Sequence, residues 1–173
     1  QNDAIDDGDI AYTIVTAAAA STDSKYNNLA VADVSVTNTD NDTAGITVNP
    51  VAGLVTTEAG GTATFTVVLN TQPMADVTIG VSSSDTTEGT VSPATVTFTA
   101  ANWNTPQTVT VTGQNDANAD GDIAYTIVTA AAVSTDSKYN KLTVADVSVT
   151  NTDNDTAGIT VTPTSGLVTS EAG

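Results

Sequence analysis

The stretch TATFTVVL, residues 62–69, sets Ala63, Phe65, Val67 and Leu69 on one side of an extended chain, with Thr62, Thr64 and Thr66 on the other. Apolar residues at a period of two mark a strand with one face toward a core. The same alternation continues in both directions. Upstream lie AGITV (44–48) and GLVTT (53–57). Downstream lie ADVTIGVSS (75–83), GTVS and ATVTFT (within 89–99), QTVTVTG (107–113), DIAYTIVTA (122–130) and VADVSVTN (144–151). Inward positions include Val77, Ile79, Val81, Val109 and Val111. Turn formers separate the runs: Gly60-Gly61, Gln72-Pro73, Asn102 to Pro106, and Gly121.

Thr and Val, both strand formers, dominate the composition, while Leu and Glu are few. Seven or eight short strands at this spacing predict an all-β fold, an antiparallel β-sandwich of Ig-like topology. Trp103, in AANWNTPQ, reads as a loop residue capping the core, since no second aromatic accompanies it as a sugar-stacking platform would require. The segment STDSKYN (134–140), which includes Asp136 and Tyr139, reads as a structured excursion before the last strand.

The chain repeats itself. Residues 1–60 align with 114–173 without a gap, differing only at positions 5, 6, 20, 28, 30, 49, 51, 52 and 57. The repeat length is therefore 113 residues, which suits one domain. Its phase predicts a complete unit at 43–155, the C-terminal part of a preceding repeat at 1–42, and the first strands of a following repeat at 156–173. The flanking pieces are too short to bury a core alone, so the chain reads as a window on a tandem array.

Three Lys face twenty acidic residues, a net charge of −17, with no His and no Cys. That charge repels nucleic acid and anionic membranes and attracts cations. Lack of Cys removes disulfide and thiol chemistry. Lack of His removes the commonest general base and zinc ligand. No apolar run approaches the roughly 18 residues of a membrane span. The residues therefore predict a non-enzyme.

The acids are placed, not scattered. Of eleven in the complete unit, eight fall in four places: Glu58; Asp85 and Glu88; Asp116, Asp120 and Asp122; Asp153 and Asp155. In a sandwich these are three turns and the end of the last strand, all at the pole where the linker leaves. Carboxylates converging there repel unless a cation neutralises them. Ca2+ takes six to eight oxygens in irregular loop geometry, whereas Mg2+ keeps its water. DANADG (116–121) imitates the start of an EF-hand loop, but Ile127 stands where its closing Glu belongs. An acidic turn between strands fits better. The sequons Asn41-Asp42-Thr43 and Asn154-Asp155-Thr156 lie in the same acidic stretches and make poor glycosylation sites if they hold metal.

TTEAGGTATFTVVL, VTFTAANWNTPQTVTVTGQNDANADGDIAYTIV and ADVSVTNTDND together resemble the Calx-beta domain, in the form repeated in large bacterial surface proteins. The resemblance spans the unit and, through the repeat, the whole chain. It implies a seven-stranded sandwich with calcium at one pole. Mapped onto this chain, the implied ligands are Glu58, Asp85, Asp116, Asp120, Asp153, Asn154 and Asp155, and the clustering of acids adds Asp122 as a candidate. In the preceding repeat they are Asp3, Asp7, Asp9, Asp40, Asn41 and Asp42. The sequence departs from the family at Ile123, where a second Glu is common, and at neutral Asn154. These departures imply fewer or weaker ions per pole.

The resulting expectation is a structural spacer in a giant extracellular adhesin or filament of bacterial origin, stiffened by calcium between units. A ligand-binding adhesion module and a self-assembling fibre or sheath are the alternatives. The expected partners are neighbouring copies of the same repeat, in the same chain or by strand exchange, with no nucleic acid and no membrane insertion.

Overall fold

The computed structural model describes residues 2–172. Every regular element among them is a strand. The first two, β1 (Ile10–Ile14) and β2 (Val34–Asn38), form an antiparallel hairpin in the segment read from the sequence as a preceding repeat. The complete unit contributes β3 (Ile46–Asn49), β4 (Leu54–Thr57), β5 (Thr62–Leu69), β6 (Val77–Ser83), β7 (Gly89–Ser92), β8 (Thr95–Phe98), β9 (Gln107–Gly113), β10 (Ile123–Thr129) and β11 (Val147–Thr152).

Two sheets face each other. One has the order β3-β5-β9-β7 and the other β4-β11-β10-β6-β8. The stretch that predicted the fold, β5, is central in the first sheet, paired with β3 and β9. Its Phe65, Val67 and Leu69 meet Ile79, Val96, Phe98, Ile127, Val147 and Val149 from the facing sheet in one buried cluster. Trp103 packs against that cluster from its loop, and its carbonyl accepts the Leu69 N–H at 3.1 Å.

Two pairs of successive short strands are divided between the sheets. The opening segment gives β3 to one sheet and β4 to the other, and the segment around Pro93 gives β7 and β8 likewise. The first switch amends the all-antiparallel expectation. β4 pairs parallel with β11, Leu54 opposite Val149 and Thr57 opposite Thr152. A chain that crosses between sheets without reversing arrives beside the last strand pointing the same way.

The STDSKYN excursion closes the entry pole, where β3 begins and β5 ends. Tyr139 is fully buried, and its hydroxyl accepts the Thr71 N–H at 3.1 Å and donates to the Thr71 carbonyl at 2.7 Å. Tyr139→Phe strands a buried donor and acceptor, so a loss of about 1–3 kcal/mol is expected. Urea unfolding should show a lower midpoint with an unchanged slope.

Among the described residues no sheet faces the pair β1–β2. Ile10, Tyr12, Ile14, Leu29 and Val34 are all exposed, whereas the equivalent Tyr125, Ile127 and Val147 of the complete unit are buried. After Thr152, residues 153–172 carry no regular structure, and Ile159, Val161, Leu167 and Val168 are exposed.

Candidate metal centre at the exit pole

The exit pole is built by four turns and strand ends whose acids are held by backbone N–H groups. Asp153 follows β11 directly. Its Oδ2 accepts the Gly121 N–H at 2.7 Å, and its Oδ1 accepts the Asp155 N–H at 2.7 Å. Its own N–H donates to Asp122 Oδ1 at 3.2 Å. Glu58, in the turn after β4, is buried, and its Oε2 accepts the Asn154 N–H at 3.0 Å. Asp116 Oδ1 caps its own turn through the Asn118 N–H at 2.7 Å. Charge-assisted bonds of this kind fix each carboxylate without neutralising it.

The acids converge. One oxygen each of Glu58, Asp120 and Asp153 lie within 4.8 Å of one another. The same holds for Glu58, Asp116 and Asp155, and for Glu88, Asp116 and Asp120. Glu58 and Asp116 thus join neighbouring trios. No lysine balances them, since all three lie in or beside the two copies of STDSKYN.

The charge balance is visible in the acidities. For Glu58 the largest single influence, the Asn154 N–H, lowers its pKa. Burial and the charges of Asp153, Asp116 and Asp155 together outweigh it, and the net shift is upward. Asp153 moves the other way, held low first by the Asp155 N–H and then by the Gly121 N–H.

Asp85 and Glu88 share a turn but do different things. The Asp85 carboxylate bonds Thr87, with Oδ1 accepting the Thr87 N–H at 3.0 Å and its hydroxyl at 2.5 Å, so it caps the turn locally. Glu88, counted among the pole acids but absent from the ligands implied by the resemblance, is buried and belongs to a trio. It is anchored from the core. Asn151 Nδ2 donates to Glu88 Oε2 at 3.3 Å and to the Gln114 carbonyl at 3.0 Å, while Asn151 Oδ1 accepts the Thr56 hydroxyl at 3.1 Å. The available signal was the three-residue spacing from Asp85, which places two acids in one tight turn. Asn154 contributes backbone to Glu58 and side chain to Asn115, at 3.2 Å. Asp122 holds the Asp153 N–H and stands outside the trios.

The pole of the preceding repeat keeps the same frame. Asp40 accepts the Gly8 N–H at 2.6 Å and the Asp42 N–H at 2.9 Å, and Asp9 accepts the Asp40 N–H at 2.9 Å. Asp3 caps its turn through the Ile5 N–H at 3.0 Å. Asp3, Asp7, Asp40, Asn41 and Asp42 line one shallow polar cavity with Gly8. Among the described residues no carboxylate trio forms there.

Whether a cation fits can be judged at Asp155. Its Oδ2 is buried and accepts no hydrogen bond, and the residue belongs to the trio with Glu58 and Asp116. A buried carboxylate oxygen left without a partner is costly. Hard oxygens from several loops, one of them orphaned, suit Ca2+.

No family model and no curated protein matches the chain by sequence. Similarity appears in solved structures. The apo form of the Calx CBD1 domain superposes with a TM-score of 0.50 at 16% identity, over 66% of this chain and 100% of that domain. The periplasmic chaperone SfaE also superposes with a TM-score of 0.50, at 9% identity, over 64% of this chain and 58% of the chaperone. At these identities the likeness is one of fold, an Ig-like β-sandwich. Among the described residues no helix is long and apolar enough to cross a membrane.

Proposed function

We propose that the chain is part of a tandem array of Ig-like units acting as an extracellular spacer, with Ca2+ at each exit pole stiffening the joint to the next unit. The observation that carries this reading is the set of neighbouring carboxylate trios around buried Glu58, with Asp155 Oδ2 unpartnered among them. Asp153, Asn154 and Asp155 are at once part of the pole and the start of the linker. A cation bound by Asp155, Glu58 and Asp116 therefore ties the linker to the body of the unit. A cell-surface setting agrees with millimolar calcium and with the chain's strong negative charge. The uncovered apolar face of β1–β2 fits completion by a neighbouring repeat.

The test is small-angle scattering of a protein of four complete units. In millimolar calcium the maximum dimension should grow by about 40 Å per unit, the length of an eight- to nine-residue strand plus its turns. Chelation should shorten it and broaden the distribution. Equal dimensions and flexibility in both conditions would refute the spacer mechanism.

A further inference from the structure

The acidic turn before β1 lies against the entry pole of the complete unit. Gln72 N–H donates to the Ala4 carbonyl at 2.7 Å. Asp6 Oδ2 accepts the Ala44 N–H of the linker at 2.9 Å. Asp6 Oδ1 pairs with the Lys138 ammonium, 132 residues along the chain, in the single ion pair among the described residues. The receiving surface is preformed. Buried Asp136 accepts the Lys138 N–H through Oδ1 at 2.9 Å and the Met74 N–H through Oδ2 at 2.9 Å, so the segments bearing Lys138 and Gln72 are tied together.

We infer that the entry pole of each unit is a docking surface for the acidic turn of the repeat before it, and that an Asp6–Lys138 latch is fitted at some joints and omitted at others. The lysine occurs in both copies, as Lys25 and Lys138, but the acid does not. Asp6 is replaced by Ala119 in the complete unit, and Ile5 beside it by Asn118. The frame around the turn is otherwise kept, with Gly8 and Gly121 bonded alike to Asp40 and Asp153. The joint before the complete unit is therefore latched, and the joint after it lacks the acid. Both partners remain charged at neutral pH. Asp6 is held low first by Lys138 and then by the Ala44 N–H, and Lys138 is held high by Asp6. The latch uses an ammonium already present in the protein and needs no metal. This inference rests on the reading of units stacked end to end, not on calcium.

Hydrogen exchange at the Gln72 amide of the full chain, measured throughout in EDTA, tests it. Lys138→Met keeps the aliphatic stem and Asp6→Ala installs the residue found at 119. Each should speed exchange about three- to fivefold, the scale of an exposed ion pair. The double variant should be no faster than the faster single. The swapped pair Asp6→Lys with Lys138→Asp should recover at least half of the lost protection, and Lys25→Met should leave Gln72 unchanged. Unchanged exchange in both single variants, or additive effects without recovery in the swap, would overturn the latch. Because metal is absent, that failure would leave the calcium reading intact, and a failure to bind calcium would leave the latch intact.

Discussion

In about 10 mM calcium the complete unit should melt about 10 °C higher than in EDTA. A loop-built oxygen site of the weak extracellular class has a Kd of about 10⁻⁴ M. A hundredfold excess of ligand over Kd stabilises the folded state by about 2.7 kcal/mol. For a domain of this size each kcal/mol moves the melting temperature by about 4 °C. Glu58→Gln should remove most of the rise, because Glu58 belongs to two of the three trios. Asp116→Ala and Asp155→Ala should each erase much of it. Asp85→Asn should change it little, since that carboxylate is occupied by Thr87. The sign reverses without metal. In EDTA, Glu58→Gln relieves the repulsion from Asp153, Asp116 and Asp155 while keeping an oxygen for the Asn154 N–H, so it should not destabilise. Differential scanning calorimetry of the five proteins in both buffers decides the matter. Identical melting of the parent protein in calcium and EDTA would remove the metal site.

Gly113→Ala should destabilise the unit by about 3 kcal/mol, the upper part of the range for overpacking. Gly113 ends β9 beneath the exit pole. A Cβ there would sit 2.3 Å from the Thr57 carbonyl oxygen and 2.5 Å from Asn151 Oδ1. Neither atom can retreat freely. The Thr57 carbonyl accepts the N–H groups of Gly60 and Gly61, and Asn151 links Thr56, Glu88 and Gln114. The strain is therefore passed to both glutamates, and the calcium response should weaken along with stability. Gly121→Ala is the contrast. It has open space around it but a φ of +83°, so only the left-handed backbone cost of about 1 kcal/mol is expected. Thermal melting of both variants checks the difference, and equal losses would show that crowding at Gly113 is relieved elsewhere.

Strand positions were legible because period-two patterning reports burial directly. Phe65, Val67, Val77, Ile79, Val109 and Val111 are all buried as the alternation requires. The partition of strands between sheets was not legible. AGITV and GLVTT carry the same pattern whether they share a sheet or, as here, separate into β3 and β4. The gathering of acids at one pole followed from their positions in turns, whereas the choice between Asp85 and Glu88 did not. Which of two acids three residues apart points inward depends on turn dihedrals, and the short Asp side chain satisfies the turn itself while Glu reaches Asn151. The pairing of Asp6 with Lys138 depends on how two repeats stack, which no local pattern encodes.

The parallel pairing of β4 with β11 has a mechanical consequence. The chain enters the unit through β3, passes directly into β4 and leaves after β11, and β4 and β11 run side by side in the same direction over four paired positions. Tension between the two ends drags β4 back toward the entry and β11 forward toward the exit. The strands must slide past each other, so the ladder is loaded in shear and its bonds share the force. An antiparallel pair at this place would open like a zipper, one bond at a time. Under tension the unit would resist extension at the edge where β4 and β11 run parallel.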